Sequence, residues 1–353
     1  MEPLFEHVGL SIVGAGCKNR CKHCAPAADL SEPVLLSLEQ IEGAVSAVRA
    51  ENEKAPAFYK HIHPSLSYEP MDHPDVVEIH GLLSALNRQA VNVRTMATNG
   101  QRVGADPAHP EMVRALRDQG LQRFQLSLYG LEKTHDWFAG RRGAYQSIME
   151  AARRIASLGV EVDWVYFLHK RNIGELAEVV EAARGAAEGT TLSESINIWG
   201  PVGRAAKQGA LLVTAADLER VPAALRTMSM LPQYLPEAAW VESARTGEMQ
   251  SLLDDFRRRH REDGGLPDCN LRVDRNNVAD LANVLQEERA KAMGDVQGKP
   301  ETETPSGPDV SWLAEKYGDK DGEVLYRLST MRQEWLRRHR EAGARLARRT
   351  GAS

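Results

Sequence analysis

The sequence predicts an α/β fold: parallel strands curled into a partial (βα)6 open barrel, with a mainly helical C-terminal extension. Three observations predict it. Short, β-favouring apolar runs alternate with amphipathic helical stretches as far as residue 199. Every strand but the last is followed by a helix, and right-handed crossovers then make the sheet parallel. The polar, motif-bearing segments come directly after strands, on the face where such sheets carry their chemistry.

The elements follow in order. Val8 to Val13 reads as the first strand, and a polar loop follows it. Ser37 caps a helix running to Ala50, with Glu39 and Gln40 in its first turn. Phe58 to Tyr68 is the second strand, weakened by His61 and His63. Pro74 to Ala90 is a helix with Val76, Ile79, Leu83 and Leu86 among its apolar positions. Val91 to Ala97 is a strand closed by Thr98-Asn99-Gly100. A helix over Glu111–Gln119 and a strand over Arg123–Leu128 come next, then a helix over Ala144–Leu158 with Gly159 as its C-terminal cap. Val160–Leu168, Ile173–Ala187 and Leu192–Trp199 complete the alternation as strand, helix and strand.

After Gly209 the pattern changes. Helices are expected over Val213–Met228 and Val241–Arg259, with a short strand at Leu271–Val273. A mobile linker near 297–309 is rich in Pro, Gly, Thr and Glu, and Ser311–Arg349 is again helical. The expected division is a barrel domain over 1–212 and a C-terminal region over 213–353.

Composition sets the bounds. A chain of 353 residues holds one large domain plus an appendage. A net charge of -5 excludes nucleic-acid binding by global basicity. The arginines from Arg337 to Arg349 interleave with Glu334 and Glu341 and suit a helix C-terminus. No stretch is apolar for long enough to span a bilayer, and residues 1–6 lack a signal-peptide pattern. The expectation is a cytoplasmic protein with reduced thiols.

The chain has four cysteines, and three form Cys17-x3-Cys21-x2-Cys24 in the loop after the first strand. Three thiolates in one loop are ligands. A structural zinc would need a fourth, such as His7, His23 or Cys269. Disulfides fit poorly, because Cys21 and Cys24 are too close in sequence. On a cubane iron–sulfur cluster, three thiolates leave one iron open for chemistry.

This spacing, in this place, resembles the signature of radical S-adenosylmethionine enzymes, and His23 fits the aromatic position before the last cysteine. The resemblance covers about residues 4 to 210. It implies a [4Fe–4S] cluster on Cys17, Cys21 and Cys24, with S-adenosylmethionine chelating the fourth iron. Ser67-Tyr68-Glu69-Pro70 resembles the family's Gly-Gly-Glu-Pro turn, where Glu69 would hold the cofactor's amino group. Ser67 and Tyr68 stand where the family has glycines that ease the turn. Asn99 matches a recurrent Thr-Asn-Gly, and Ser127 lies at the end of the fourth strand, suited to a ribose hydroxyl or the cofactor's carboxylate. For that carboxylate the resemblance points to Arg142, then Arg141, and to Arg204 in Gly203-Arg204-Ala205. Relatives with these motifs carry a cysteine-rich extension for auxiliary clusters, and here only Cys269 remains.

The implied enzyme takes hydrogen from a small natural-product substrate (sugar, cyclitol or nucleoside). It then epimerises it or carries out a redox-neutral rearrangement or elimination. A flavodoxin or ferredoxin-type protein would supply electrons. Cys269 is the candidate hydrogen donor for epimerisation, against the plainer reading of an inert buried thiol. A peptide substrate and a non-catalytic zinc protein are the alternatives.

Overall fold

The computed structural model describes residues 2–24, 32, 34–190, 192–198, 209–228, 234–246, 268–295, 323–327 and 331. The expected linker near 297–309, Arg204 and the Ser311–Arg349 helix lie outside these residues, except for 323–327 and Met331.

Nine strands and twelve helices are described. The first unit is β1 (Phe5–Ile12), α1 (Leu38–Asn52), β2 (Tyr59–Leu66) and α2 (Val76–Asn87). Then come α3 (Val91–Arg94), β3 (Thr95–Thr98), α4 (Gln101–Ala105), α5 (His109–Asp118) and β4 (Arg123–Leu128). The barrel half ends with α6 (Glu132–Ala139), α7 (Ala144–Ser157), β5 (Glu161–Leu168), α8 (Leu176–Ala186) and β6 (Leu192–Ile198). Beyond it lie α9 (Ala215–Leu218), α10 (Ala223–Arg226), β7 (Leu235–Pro236), α11 (Glu237–Arg245), β8 (Cys269–Val273), α12 (Leu281–Asp295) and β9 (Leu325–Tyr326).

The strands form two parallel sheets, ordered β2-β1-β8 and β3-β4-β5-β6. No ladder joins β2 to β3 among the described residues. Val91–Arg94, expected as strand, coils into one helical turn and leaves only four residues for β3. Each sheet has its own outer hydrophobic layer. One gathers Val8, Leu10 and Ile12 with Ile41, Val45 and Leu83. The other gathers Phe124, Leu126, Trp164 and Leu168 with Ile148 and Val180.

The main departure from expectation is β8. It pairs in parallel with β1, Val8 opposite Cys269 and Ile12 opposite Val273, and α12 follows it. Leu271, Val273, Leu281 and Leu285 share a core with β1 and α1. Residues 269–295 are thus a seventh strand–helix unit of the parallel array, and residue 213 does not divide one core from another. Gly9 sits close to this seam: a Cβ there would lie 2.6 Å from the Asn270 Oδ1, so a larger residue would make the Asn270 side chain shift. The helix expected over Val213–Met228 is instead two single turns, since Pro222 interrupts it. β7 and β9 form a small antiparallel ribbon. No helix among the described residues is long and apolar enough to cross a membrane.

Side-chain alternation fixes what faces the barrel interior. Val8, Leu10 and Ile12 point to the helices, so His7, Gly9 and Ser11 point inward. Registered neighbours share a face, which adds His63, Ser65, Asn270 and Arg272. Across the barrel, Gln125 and Asp163 are inward and hydrogen-bonded at 2.8 Å. The interior is polar.

Candidate active site

The cysteine loop leaves β1 at the carboxyl end of the sheet. The Cys24 N–H donates to the Cys21 carbonyl at 3.1 Å, a tight turn that brings these two residues together. The loop is pinned across the barrel. The Arg20 N–H donates to the Ala139 carbonyl (2.8 Å) and the Lys22 N–H to the Phe138 carbonyl (3.0 Å), both at the end of α6. The Asn99 Nδ2 donates to the Cys17 Sγ at 3.5 Å, and the Gln101 amide donates to the Asn19 side chain. All three thiols border one cavity, together with Tyr68, Glu69, Thr98, Asn99, Ser127 and Tyr129.

Burial pushes the Cys17 thiol up to about 11, with Glu69 nearby adding to the effect. Burial also pushes Cys21 up to about 12, helped by its two neighbouring cysteines. Thiolates so crowded need a cationic partner. Among the described residues no three His, Cys, Asp or Glu converge on one point as a single metal ion demands. A cubane binds its thiolates at three separate irons, so this donor set fits a cluster better than zinc. His23 borders the same cavity as the three cysteines. It is stacked on Phe138 and Phe167, with its Nδ1 buried and unpartnered, and desolvation lowers its pKa to about 4.

Glu69 is 2 % exposed. Its oxygens accept from the Thr98 hydroxyl and the Asn99 N–H, both at 2.5 Å. Burial raises its pKa to about 8, with the Asp72 carboxylate adding to the effect, and the Met71 N–H also acts on it as a donor. A buried carboxylate held by neutral donors, with no ion pair among the described residues, fits a ligand's ammonium group. The turn before it is strained. Tyr68 has φ 69, the described non-glycine residue with positive φ. This is where the resemblance expects glycine, and a tyrosine there costs about 1–3 kcal/mol. Gly100, by contrast, has φ 75 freely, and a Cβ would lie 2.9 Å from the Ile148 Cα.

The structure therefore brings together Cys17, Cys21, Cys24, Glu69, Asn99 and Ser127. It leaves others out. Arg141 and Arg142 are exposed on the turn between α6 and α7 and do not border the cavity. The nearby Asp136 accepts from the Gly143 and Tyr145 N–H groups and so caps α7. Cys269 is on the helix-facing side of β8, near Glu288 of α12. It is four residues below the carboxyl end of that strand, about 13 Å along it. The residue packs with the outer core and also borders the interior cavity lined by His7, His63 and Asn270.

Several cavity residues escaped the sequence reading. Tyr129 is 7 % exposed; its hydroxyl meets Cys21 and Ser127, and its N–H donates to the His135 Nδ1 at 3.3 Å. It continues the inward-facing alternation of Gln125 and Ser127, a signal the sequence does carry. Phe138 stacks on Tyr129 at 4.6 Å and on His169 at 4.7 Å, an aromatic floor under the loop.

The profile of the Radical SAM superfamily matches residues 11–183. An AdoMet-dependent heme synthase of Methanosarcina barkeri is 27% identical over 210 residues, which is 59% of this chain and 54% of that protein. A PqqA peptide cyclase of Methylorubrum populi is 28% identical over 169 residues, 47% of this chain and 40% of that protein. The chain thus spans about half or less of these curated relatives. Among solved structures, Streptococcus suis SuiB bound to precursor peptide SuiA aligns with a TM-score of 0.41 and 13% identity, covering 76% of this chain and 49% of SuiB. Through residues 11–183 the chain belongs to the radical SAM superfamily, whose cofactors are a [4Fe–4S] cluster and S-adenosylmethionine.

Proposed function

We propose that this protein is a radical S-adenosylmethionine enzyme acting on a small, polar, hydroxyl-bearing molecule of the sugar, cyclitol or nucleoside kind. The observation that carries the reading is the shared cavity of Cys17, Cys21, Cys24 and Glu69. When bound there, cluster and cofactor supply reductive cleavage to methionine and a 5′-deoxyadenosyl radical that takes hydrogen from the substrate.

The chain's own residues do the rest. The three cysteines hold the cluster. Glu69 accepts the cofactor's ammonium while Thr98 and the Asn99 N–H fix its oxygens. Asn99 and Ser127 border the same cavity and are the candidates for the carboxylate or ribose, and Arg204 remains the candidate cation for the carboxylate. Lys18, Arg20, Arg141 and Arg142 are exposed around the loop and suit an acidic flavodoxin or ferredoxin-type donor.

The substrate class rests on the interior. A cavity of about 410 Å³ is lined by His7, Ser11, His63, Ser65, Asn270 and Arg272 among others. It holds hydrogen-bonding groups and no aromatic carbocycle, which suits a polyol better than an apolar ring. Cys269 also borders this cavity, but it packs in the outer core with Leu271 and Val273, a poor place for the thiol donor that epimerisation needs. A redox-neutral rearrangement or elimination, which needs none, becomes the preferred outcome. A peptide substrate is the second reading, favoured by the PqqA peptide cyclase likeness.

Anaerobic iron–sulfur reconstitution tests the proposal. Wild type should turn brown and form 5′-deoxyadenosine from S-adenosylmethionine under dithionite. A variant with Cys17, Cys21 and Cys24 all changed to Ala should do neither. A colourless wild type, or a triple variant that still cleaves the cofactor, would sink the reading.

A further inference from the structure

We propose that Arg272 is a positioning residue for the cofactor: from the seventh parallel strand it pins Tyr68 and so holds the Glu69 turn in its left-handed conformation. This rests on the cofactor role of Glu69 given above.

The geometry is specific. The Arg272 Nη2 donates to the Tyr68 hydroxyl at 2.8 Å, across 204 residues of sequence. The guanidinium also lies 5.6 Å from the centre of the Tyr68 ring. Its Nε donates to Asp274 at 3.1 Å, and Asp274 is itself fixed by the Asn276 N–H at 2.9 Å. The Asn277 Nδ2 donates to the Arg272 carbonyl. The arginine is thus oriented by its own strand end before it meets Tyr68.

Tyr68 has a reason to need holding. It carries φ 69 without being glycine, and its neighbour is the buried carboxylate. Left alone, a tyrosine relaxes toward negative φ and turns residue 69 with it. Two further contacts resist this. The Ser67 N–H donates to the Ile12 carbonyl at 2.8 Å, and the Ser67 hydroxyl meets that of Ser11 at 2.5 Å. Neither acts on Tyr68 itself; the Arg272 contact does. Tyr68 borders the cofactor cavity and Arg272 the interior cavity, so the pair stands between the two. A strand supplied by the chain beyond residue 213 thereby reaches the cofactor turn, which a glycine-built turn would not require.

Arg272→Ala, Tyr68→Phe, Tyr68→Gly and the double variant Tyr68→Gly/Arg272→Ala test this. Affinity for S-adenosylmethionine is read from its perturbation of the reduced cluster's electron paramagnetic resonance signal. Amide exchange of residues 67–72 is read on the cluster-free protein. Arg272→Ala should weaken affinity about fivefold and speed that exchange, and Tyr68→Phe should do so by a smaller factor. The double variant should match Tyr68→Gly within twofold, since glycine takes this φ unaided. Wild-type affinity and exchange in Arg272→Ala would overturn the proposal, as would a double variant as weak as Arg272→Ala. Wild type that binds cofactor while Glu69→Ala binds it equally well would instead overturn the role of Glu69, and the positioning role with it.

Discussion

Changing Glu69 to Gln should stabilise the cofactor-free protein at alkaline pH while abolishing cofactor binding. The carboxyl is buried among neutral donors, and its pKa is raised by burial from 4.5 to about 8. The folded protein keeps this proton up to about pH 8, and the unfolded chain releases it near 4.5. Between those values the native state binds more protons, so stability is full below 4.5 and falls as pH rises toward 8. The slope is about 1.4 kcal/mol per pH unit, and the loss reaches roughly 3–5 kcal/mol. Gln keeps an oxygen for the Asn99 N–H, and the Thr98 hydroxyl can rotate to accept from the new amide. For a chain of this size about 1.4 °C accompanies each kcal/mol, so the midpoint should rise about 4–6 °C at pH 8.5. At pH 4.5 the advantage should vanish. Scanning calorimetry of both cluster-free proteins at the two pH values measures it. A Gln variant with the same offset from wild type at pH 4.5 and 8.5 would refute the buried, unpaired carboxylate.

Other residues give further expectations. Phe138→Ala empties a fully buried site between Tyr129 and His169; it should cost about 3–5 kcal/mol in urea unfolding and lower the iron retained per chain. Desolvation lowers His135 and His169 to about 4, so both are neutral when folded and the unfolded chain takes up protons below 6.5. Stability should therefore fall as pH drops from 6.5 toward 4, and His135→Gln should make that fall shallower in calorimetry. Cys269→Ala should leave 5′-deoxyadenosine formation within twofold of wild type, with a stability loss of about 1 kcal/mol; loss of cofactor cleavage would return the thiol to the active site.

The sequence made legible what is local. The cysteine spacing, Glu69-Pro70, Asn99 and Ser127 sit just after strands or at a strand end, and a strand followed by a polar motif is a short-range pattern. What stayed hidden depends on distant neighbours. Leu271–Val273 reads as a strand, yet nothing local says that it pairs with β1 or that α12 follows it. Val91–Arg94 has strand propensity and is helical, because the gap between the sheets gives it no ladder to join. Arg141 and Arg142 looked like carboxylate ligands by motif, but the left-handed turn at Gly140 carries them to the surface. The inward or outward aim of Cys269 follows from register, which a lone cysteine does not announce.

The gap between β2 and β3 gives the cysteine loop a mechanical part. Each half-sheet has its own core, and the loop springs from one half and is fastened to the other through Ala139, Phe138, Asn99 and Gln101. It is a clasp across a seam, alongside the α2–α5 contact in which His80 and Ser84 meet Gln119. Iron loading would tighten that clasp and oxidative loss of iron would slacken it. The same thiols that hold the cluster would then make the chain's resistance to proteases a gauge of its metal supply.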